Sequence, residues 1–180
     1  MRIGKTKIAY IIGALAVLAV VVPLVWGGVE TTIEATSRPE FCGSCHVMEP
    51  MVAAYHASVH GGNNPYGVAA RCTDCHTSHT NAFSYLASKT RSGFVDTAVT
   101  WTSNEFALDW QANRARRAEY VYDSGCLQCH ANLKDIPAGH DAHAKYLAGT
   151  INAKCVDCHE GVGHEGLNKY LLEAKYKYGH

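Results

Sequence analysis

Four times the chain carries Cys-x-x-Cys-His: at Cys42–His46, Cys72–His76, Cys126–His130 and Cys155–His159. Two thiols three residues apart, followed at once by an imidazole, are what covalent attachment of a c-type haem requires. The thiols form thioethers to the haem vinyl groups, and the histidine reaches the iron from the same side. A zinc site would need four thiolates, or two thiolates and two histidines, and would have no use for a histidine after every pair. A disulfide framework would not fix that histidine either. The four copies use all eight cysteines: Cys42, Cys45, Cys72, Cys75, Cys126, Cys129, Cys155 and Cys158. The expectation is four covalently bound haems c, with His46, His76, His130 and His159 as iron ligands.

A low-spin electron-transfer haem takes two strong axial ligands, usually His/His or His/Met. Seven of the eleven histidines lie outside the motifs. Those placed to serve as second ligands are His60, His79, His143 and His164, with His56 and His140 as weaker candidates; His180 reads as a tail residue. The first motif continues Cys-His-Val-Met, which puts the thioether of Met48 two residues past His46. Both cannot reach one iron from the same side, so one displaces the other.

The spacing of these groups implies a duplication. The first two motifs begin 30 residues apart and the last two 29 apart. In each pair a histidine (His60, His143) stands 12 residues before the second motif, and another (His79, His164) follows it closely. Two dihaem modules, about 41–80 and 125–165, are expected, joined by a helical connector at about 81–124. In that connector Phe94, Ala98 and Trp101, with Val95, Val99, Thr102 and Phe106, recur at helical spacing. Such a face either packs on haem or lies on a membrane surface. Arg114, Arg116 and Arg117 suit haem propionates or a solvated face. Leu167 to Tyr178 reads as a short helix.

The N-terminus supplies an anchor. Arg2, Lys5 and Lys7 precede nineteen uncharged residues, Ile8 to Trp26, long enough as a helix to cross the hydrocarbon of a bilayer. The apolar run is longer than that of a cleaved secretory signal, and Val25-x-Gly27 is a poor cleavage site. Basic residues before the span keep the N-terminus in the cytoplasm and send the rest outside. In a bacterium that is the periplasm, where haem c is attached. The anchor and its basic tip occupy 1–29 and the haem domain 30–180, beginning with a polar connector over Glu30–Glu40. Cys42 follows Trp26 by sixteen residues, so the first haem is expected nearest the membrane. The 16 basic and 16 acidic residues balance, which gives no sign of a nucleic-acid partner. The fold class is mainly α: one transmembrane helix and a small haem-packed periplasmic domain.

Beyond these readings the chain resembles the NapC/NirT/NrfH family of membrane-anchored tetrahaem quinol dehydrogenases. The likeness rests on the anchor, FCGSCHVM at 41–48, Tyr55 through Cys72 with its SVH and GVAARC elements, and CTDCH at 72–76. Lys89 to Asp96, the Cys126 motif and CVDCHEGVGH at 155–164 complete it. The resemblance implies a quinol pocket at the first haem, with Met48 as that haem's ligand and its other face open. It maps a lysine and an acidic residue bordering the pocket onto Lys89 and Asp96, and distal ligands onto His60 and His164. His143 has counterparts in some members. The proline usual after the second motif is missing, since this chain reads CHTSH.

The function so implied is oxidation of membrane quinol, menaquinol or ubiquinol, with electrons passed singly to a periplasmic multihaem or molybdenum reductase for nitrite or nitrate. The protein would be single-pass in the bacterial inner membrane, in contact with the lipid bilayer and the quinol pool, alone or as a homo- or hetero-oligomer. One alternative is an electron-transfer module with no quinol site of its own. Another is a small-molecule reductase acting at an open haem face.

Overall fold

A computed structural model describes residues 4–102, 108–135 and 140–178. Arg2, Phe106 and His180 lie outside the described residues, as does the side chain of His140. All regular structure among the described residues is helical. The chain divides into two compact units, Met1–Arg38 and Pro39–His180.

The first unit is one helix, α1 (Lys5–Ala35), of 31 residues, whose most apolar 18-residue stretch has mean hydropathy 2.8 with none of it buried. That is long and apolar enough to cross a membrane. Pro23 stands inside it, at a depth where a missing backbone donor is tolerated in membrane helices. The connector expected over Glu30–Glu40 is helical in its first half. There the Thr31 and Thr32 hydroxyls donate to the carbonyls of Gly27 and Gly28 at 2.7 and 2.8 Å, and Glu34 pairs with Arg38 at 3.2 Å. These bonds satisfy the threonine hydroxyls within the helix and place an ion pair at its end, where the apolar sequence stops.

The second unit holds nine α-helices among its described residues. They are α2 (Pro39–Cys42), α3 (Glu49–Ala57), α4 (Cys72–His76), α5 (Ala82–Thr102), α6 (Trp110–Ala115), α7 (Asp123–Cys129), α8 (His140–Leu147), α9 (Cys155–Cys158) and α10 (Leu167–Tyr178). Its largest packing contact sets α10 on α3. Met51, Ala54 and Leu167 are buried there, flanked by Met48, Trp110, Tyr170 and Leu171. Elsewhere the buried apolar residues among those described include Pro50, Tyr55 and Val156. So small a protein core is expected of a domain that folds around large apolar groups.

Three of the four motifs sit on short helical turns, in α4, α7 and α9, whereas in the first α2 ends at Cys42 and Cys45 is extended. At helical pitch two cysteines (i, i+3) fall on one face, which the histidine (i+4) joins within α4. The second motif of each pair carries its own N-terminal cap. Asp74 accepts from the Arg71 amide at 2.8 Å, and Asp157 accepts from the Lys154 amide at 2.7 Å. The shared pattern basic-Cys-x-Asp-Cys-His adds a structural device to the repeat in spacing.

Candidate haem and electron-transfer site

Three of the motif histidines face a second imidazole. His60 and His130 have ring centres 6.1 Å apart, His76 and His164 6.2 Å, and His143 and His159 6.2 Å with the rings only 19° from parallel. Two metal–nitrogen bonds of about 2 Å, with half a ring on each side, separate ring centres by roughly 6 Å. The three gaps therefore have the width of one metal ion held between two imidazoles.

The hydrogen bonds agree with that reading at the His76–His164 pair. His76 Nδ1 lies 2.9 Å from the Tyr120 carbonyl, and His164 Nδ1 3.0 Å from the Met51 carbonyl. A carbonyl at Nδ1 fixes the proton there and leaves Nε2 as the lone-pair donor, the usual support of a metal-bound histidine. The Nδ1 atoms of His60 and His143 are buried with no hydrogen-bond partner. Burial pushes His76 down from the ordinary imidazole range, against the opposing effects of the Tyr120 carbonyl and Asp96. It does the same to His164, helped by His76, and to His60, helped by His130. Each is then the neutral imidazole that a metal needs.

The pairings cross between the halves of the chain. His143 serves the motif that follows it, but His60 turns to His130 in the third motif, and His76 receives His164 from beyond the fourth. The thiols show which motifs are neighbours. Cys42 and Cys72 are hydrogen-bonded to each other, which lowers Cys42 and raises Cys72. Cys126 and Cys155 are likewise in contact. Burial raises Cys75 to about 11, with Cys126 adding to the rise. The second and third motifs are stitched together by the Tyr122 amide on the Cys75 carbonyl at 3.0 Å and the His79 amide on Ser124 Oγ at 3.0 Å. Gly125 makes this approach possible, since a Cβ there would stand 1.8 Å from the Asp74 carbonyl oxygen.

The remaining expected site residues fall as follows. His79 is not brought to a motif histidine: its Nε2 lies 3.0 Å from the Thr73 carbonyl, and its ring meets Tyr85 edge-on at 5.3 Å. His56 is exposed, with its ring against Tyr55. His46 is exposed, and Met48 is half-buried against the α3–α10 cluster. Arg114, Arg116 and Arg117 all have protein partners. Arg114 donates to Asn168, Arg116 pairs with Glu119 at 3.6 Å, and Arg117 pairs with Glu160 at 2.7 Å while donating to the Val156 carbonyl at 2.8 Å. Arg117 thus ties the connector to the fourth motif.

Lys89 and Asp96 stand seven residues apart on α5, two turns along one face. Both act electrostatically on Cys42, and Asp96 also acts on His76. Asp96 keeps contact with solvent, yet the protein around it pushes its carboxyl up from the usual range, with His76 pulling the other way. The sequence signals missed by reading motifs alone were Gly125 and the caps Asp74 and Asp157. For the caps, the repeated basic-Cys-x-Asp pattern was the available clue.

The cysteine pairs and facing imidazoles fit haem c, and comparison with known proteins agrees. The sequence profile of the NapC/NirT cytochrome c family, N-terminal region, matches residues 5–169. Denitrification system component NirT of Stutzerimonas stutzeri is 29% identical over 179 residues, spanning 89% of this chain and 86% of that protein. Cytochrome c-type protein NapC of Escherichia coli K12 is 30% identical over 174 residues, with coverage of 89% and 86%. A crystal structure of the cytochrome c nitrite reductase NrfHA complex bound to the HQNO inhibitor contains a chain of similar fold. The TM-score is 0.52 at 24% identity, covering 86% of this chain and 90% of that one. With an N-terminal helix that fits a single-pass inner-membrane anchor and motifs for covalently bound haem c, this chain belongs to the NapC/NirT cytochrome c family of membrane-anchored electron-transfer proteins.

Proposed function

We propose that this chain oxidises membrane quinol, menaquinol or ubiquinol, and delivers the electrons one at a time to a periplasmic multihaem or molybdenum reductase of the nitrite or nitrate type. Four haems c are assigned to the four motifs. His76/His164, His130/His60 and His159/His143 would hold three of the irons, and Met48 in place of His46 the remaining one. His79 is left out of this set because the Thr73 carbonyl and Tyr85 already occupy it. The N-terminus is cytoplasmic and the haem domain periplasmic, as the basic residues before the apolar span Ile8–Trp26 favour.

One observation carries the quinol reading: Lys89 and Asp96 share a face of α5, and both are felt at Cys42 of the first motif. A cation and a carboxyl with a raised pKa, two turns apart on one helix face, suit a substrate that must release protons. When bound, haem c supplies one-electron acceptance, so a two-electron donor is unloaded in single steps. The protein's part is placement and proton handling. Lys89 donates a hydrogen bond to a quinol hydroxyl and orients it, and the ionised Asp96 carboxylate accepts the proton as the electron leaves.

Replacing Lys89 with Ala is expected to lower kcat/KM for a quinol analogue by about 10- to 100-fold, the range for loss of a charged hydrogen bond. Reduction by a water-soluble dye should be unchanged. Equal quinol rates in wild type and variant would instead leave a relay with no quinol site of its own.

Asp96 gives a separate test. It accepts a proton only when ionised, so quinol oxidation should rise with pH through a midpoint above the ordinary carboxylate value, because partial desolvation by the surrounding protein, against the opposing pull of His76, moves that midpoint up at this surface position. In Asp96→Asn that limb should flatten. A limb that persists unchanged would assign the proton to another group.

A further inference from the structure

Helix α5 is amphipathic the wrong way round for a soluble domain. Its inward face is polar. Ser88 is buried and accepts from the Ser78 amide at 2.9 Å, Tyr85 meets His79, and Lys89 and Asp96 lie along the same side. Its outward face carries the large apolar groups. Phe83 is 81% exposed, Phe94 76% and Trp101 84%, with Leu86 also exposed. At 100° per residue these four fall within one stripe, together with Ala87 and Thr90 and opposite to Lys89 and Asp96. Phe83, Leu86, Ala87, Thr90 and Phe94 line one shallow depression with Arg91 at its edge. The motif residues that sense α5, Cys42 and His76, respond to Lys89 and Asp96 on the opposite face.

We propose that the outward face of α5 lies in the headgroup–acyl boundary of the lipid bilayer. Three observations favour lipid over a protein partner. The domain is joined to an apolar helix that fits a membrane anchor, so a bilayer surface is always within reach. The stripe combines a tryptophan and two phenylalanines with a flanking arginine, the composition of an interfacial helix whose cation meets lipid phosphate. At roughly 30 Å long, α5 would offer several turns to the interface. Resting on the quinol reading of the inward face, the placement also explains how a lipid-dissolved substrate comes to Lys89 and Asp96: the helix that presents them is itself seated in the solvent of the quinol.

The test uses the full-length haem-loaded protein in phosphatidylethanolamine–phosphatidylglycerol vesicles with a photoactivatable diazirine in the acyl chains. After illumination, peptide mass spectrometry should find lipid adducts on α1 and on the α5 segment 83–101, and none at the exposed Leu172 of α10. In Phe94→Glu/Trp101→Glu the α5 adducts should fall at least about tenfold, since a carboxylate is poorly accepted in that layer. KM for quinol should rise while reduction by a water-soluble dye stays the same. Adducts confined to α1, or α5 cross-linked to a second copy of the chain, would overturn the proposal. Adducts on α5 alongside an unaffected Lys89→Ala enzyme would uphold the lipid contact and reject the quinol site alone.

Discussion

Replacing His164 with Ala removes one low-spin haem signal per chain and leaves the others in place. The His164 imidazole stands 6.2 Å from that of His76, with its Nδ1 held by the Met51 carbonyl. Its Nε2 is therefore preset as a donor, and alanine offers nothing in its place. The iron assigned to the second motif would become five-coordinate and high-spin. Electron paramagnetic resonance of the oxidised protein reads this directly, as one bis-imidazole signal lost from the total. Throughput from quinol to acceptor should fall by at least about tenfold, because a change of axial ligand is a main determinant of haem potential. Replacement by Met, which supplies a thioether, should restore a low-spin state at a higher potential. If all low-spin signals survive in His164→Ala, the crossed pairing assigned above is wrong.

Gly125→Val is the second large effect, and it acts without touching a ligand. Any Cβ at this position would meet the Asp74 carbonyl oxygen at 1.8 Å and approach the His79 ring at 3.3 Å. The first of these is a backbone atom on the helix of the second motif, so no rotamer change relieves it. Helices α4 and α7 must separate, and with them go the Tyr122–Cys75 and Ser124–His79 hydrogen bonds. A cost of about 3 kcal/mol or more is expected, the upper range for overpacking a tight contact. Thermal unfolding followed by Soret absorbance should show a clear drop in Tm. Stopped-flow reduction should show slower transfer between the motif pairs, with all haems still attached. An unchanged Tm would mean that α4 and α7 are not in contact in the folded protein.

How much of this was legible in the sequence depends on the range over which each signal acts. The haem motifs were readable because attachment needs five consecutive residues. The apolar span was readable because hydrocarbon thickness sets its length. The helical connector followed from a 3.6-residue period, though not the fact that its apolar side faces out. Patterning alone cannot tell a helix facing a core from one facing lipid. Which imidazoles face each other is a matter of distance through space. His60 and His143 hold the same place in their repeats, yet the first crosses to His130 and the second stays with His159. Spacing along the chain made His79 resemble a distal ligand. Only three residues past His76, however, it folds back onto its own helical turn and bonds Thr73. Gly125 carried no signal at all, since a glycine before a motif reads as a loop residue until its neighbour's carbonyl is seen against it.

The crossed histidines bear on how such a molecule can be made. A chain threaded outward from its N-terminus presents His60 and His76 early, while their counterparts His130 and His164 emerge late. On the assignment proposed above, the early half waits with its coordination incomplete until nearly the last residues have arrived. Truncation anywhere before His164 would leave His76 without the imidazole that faces it.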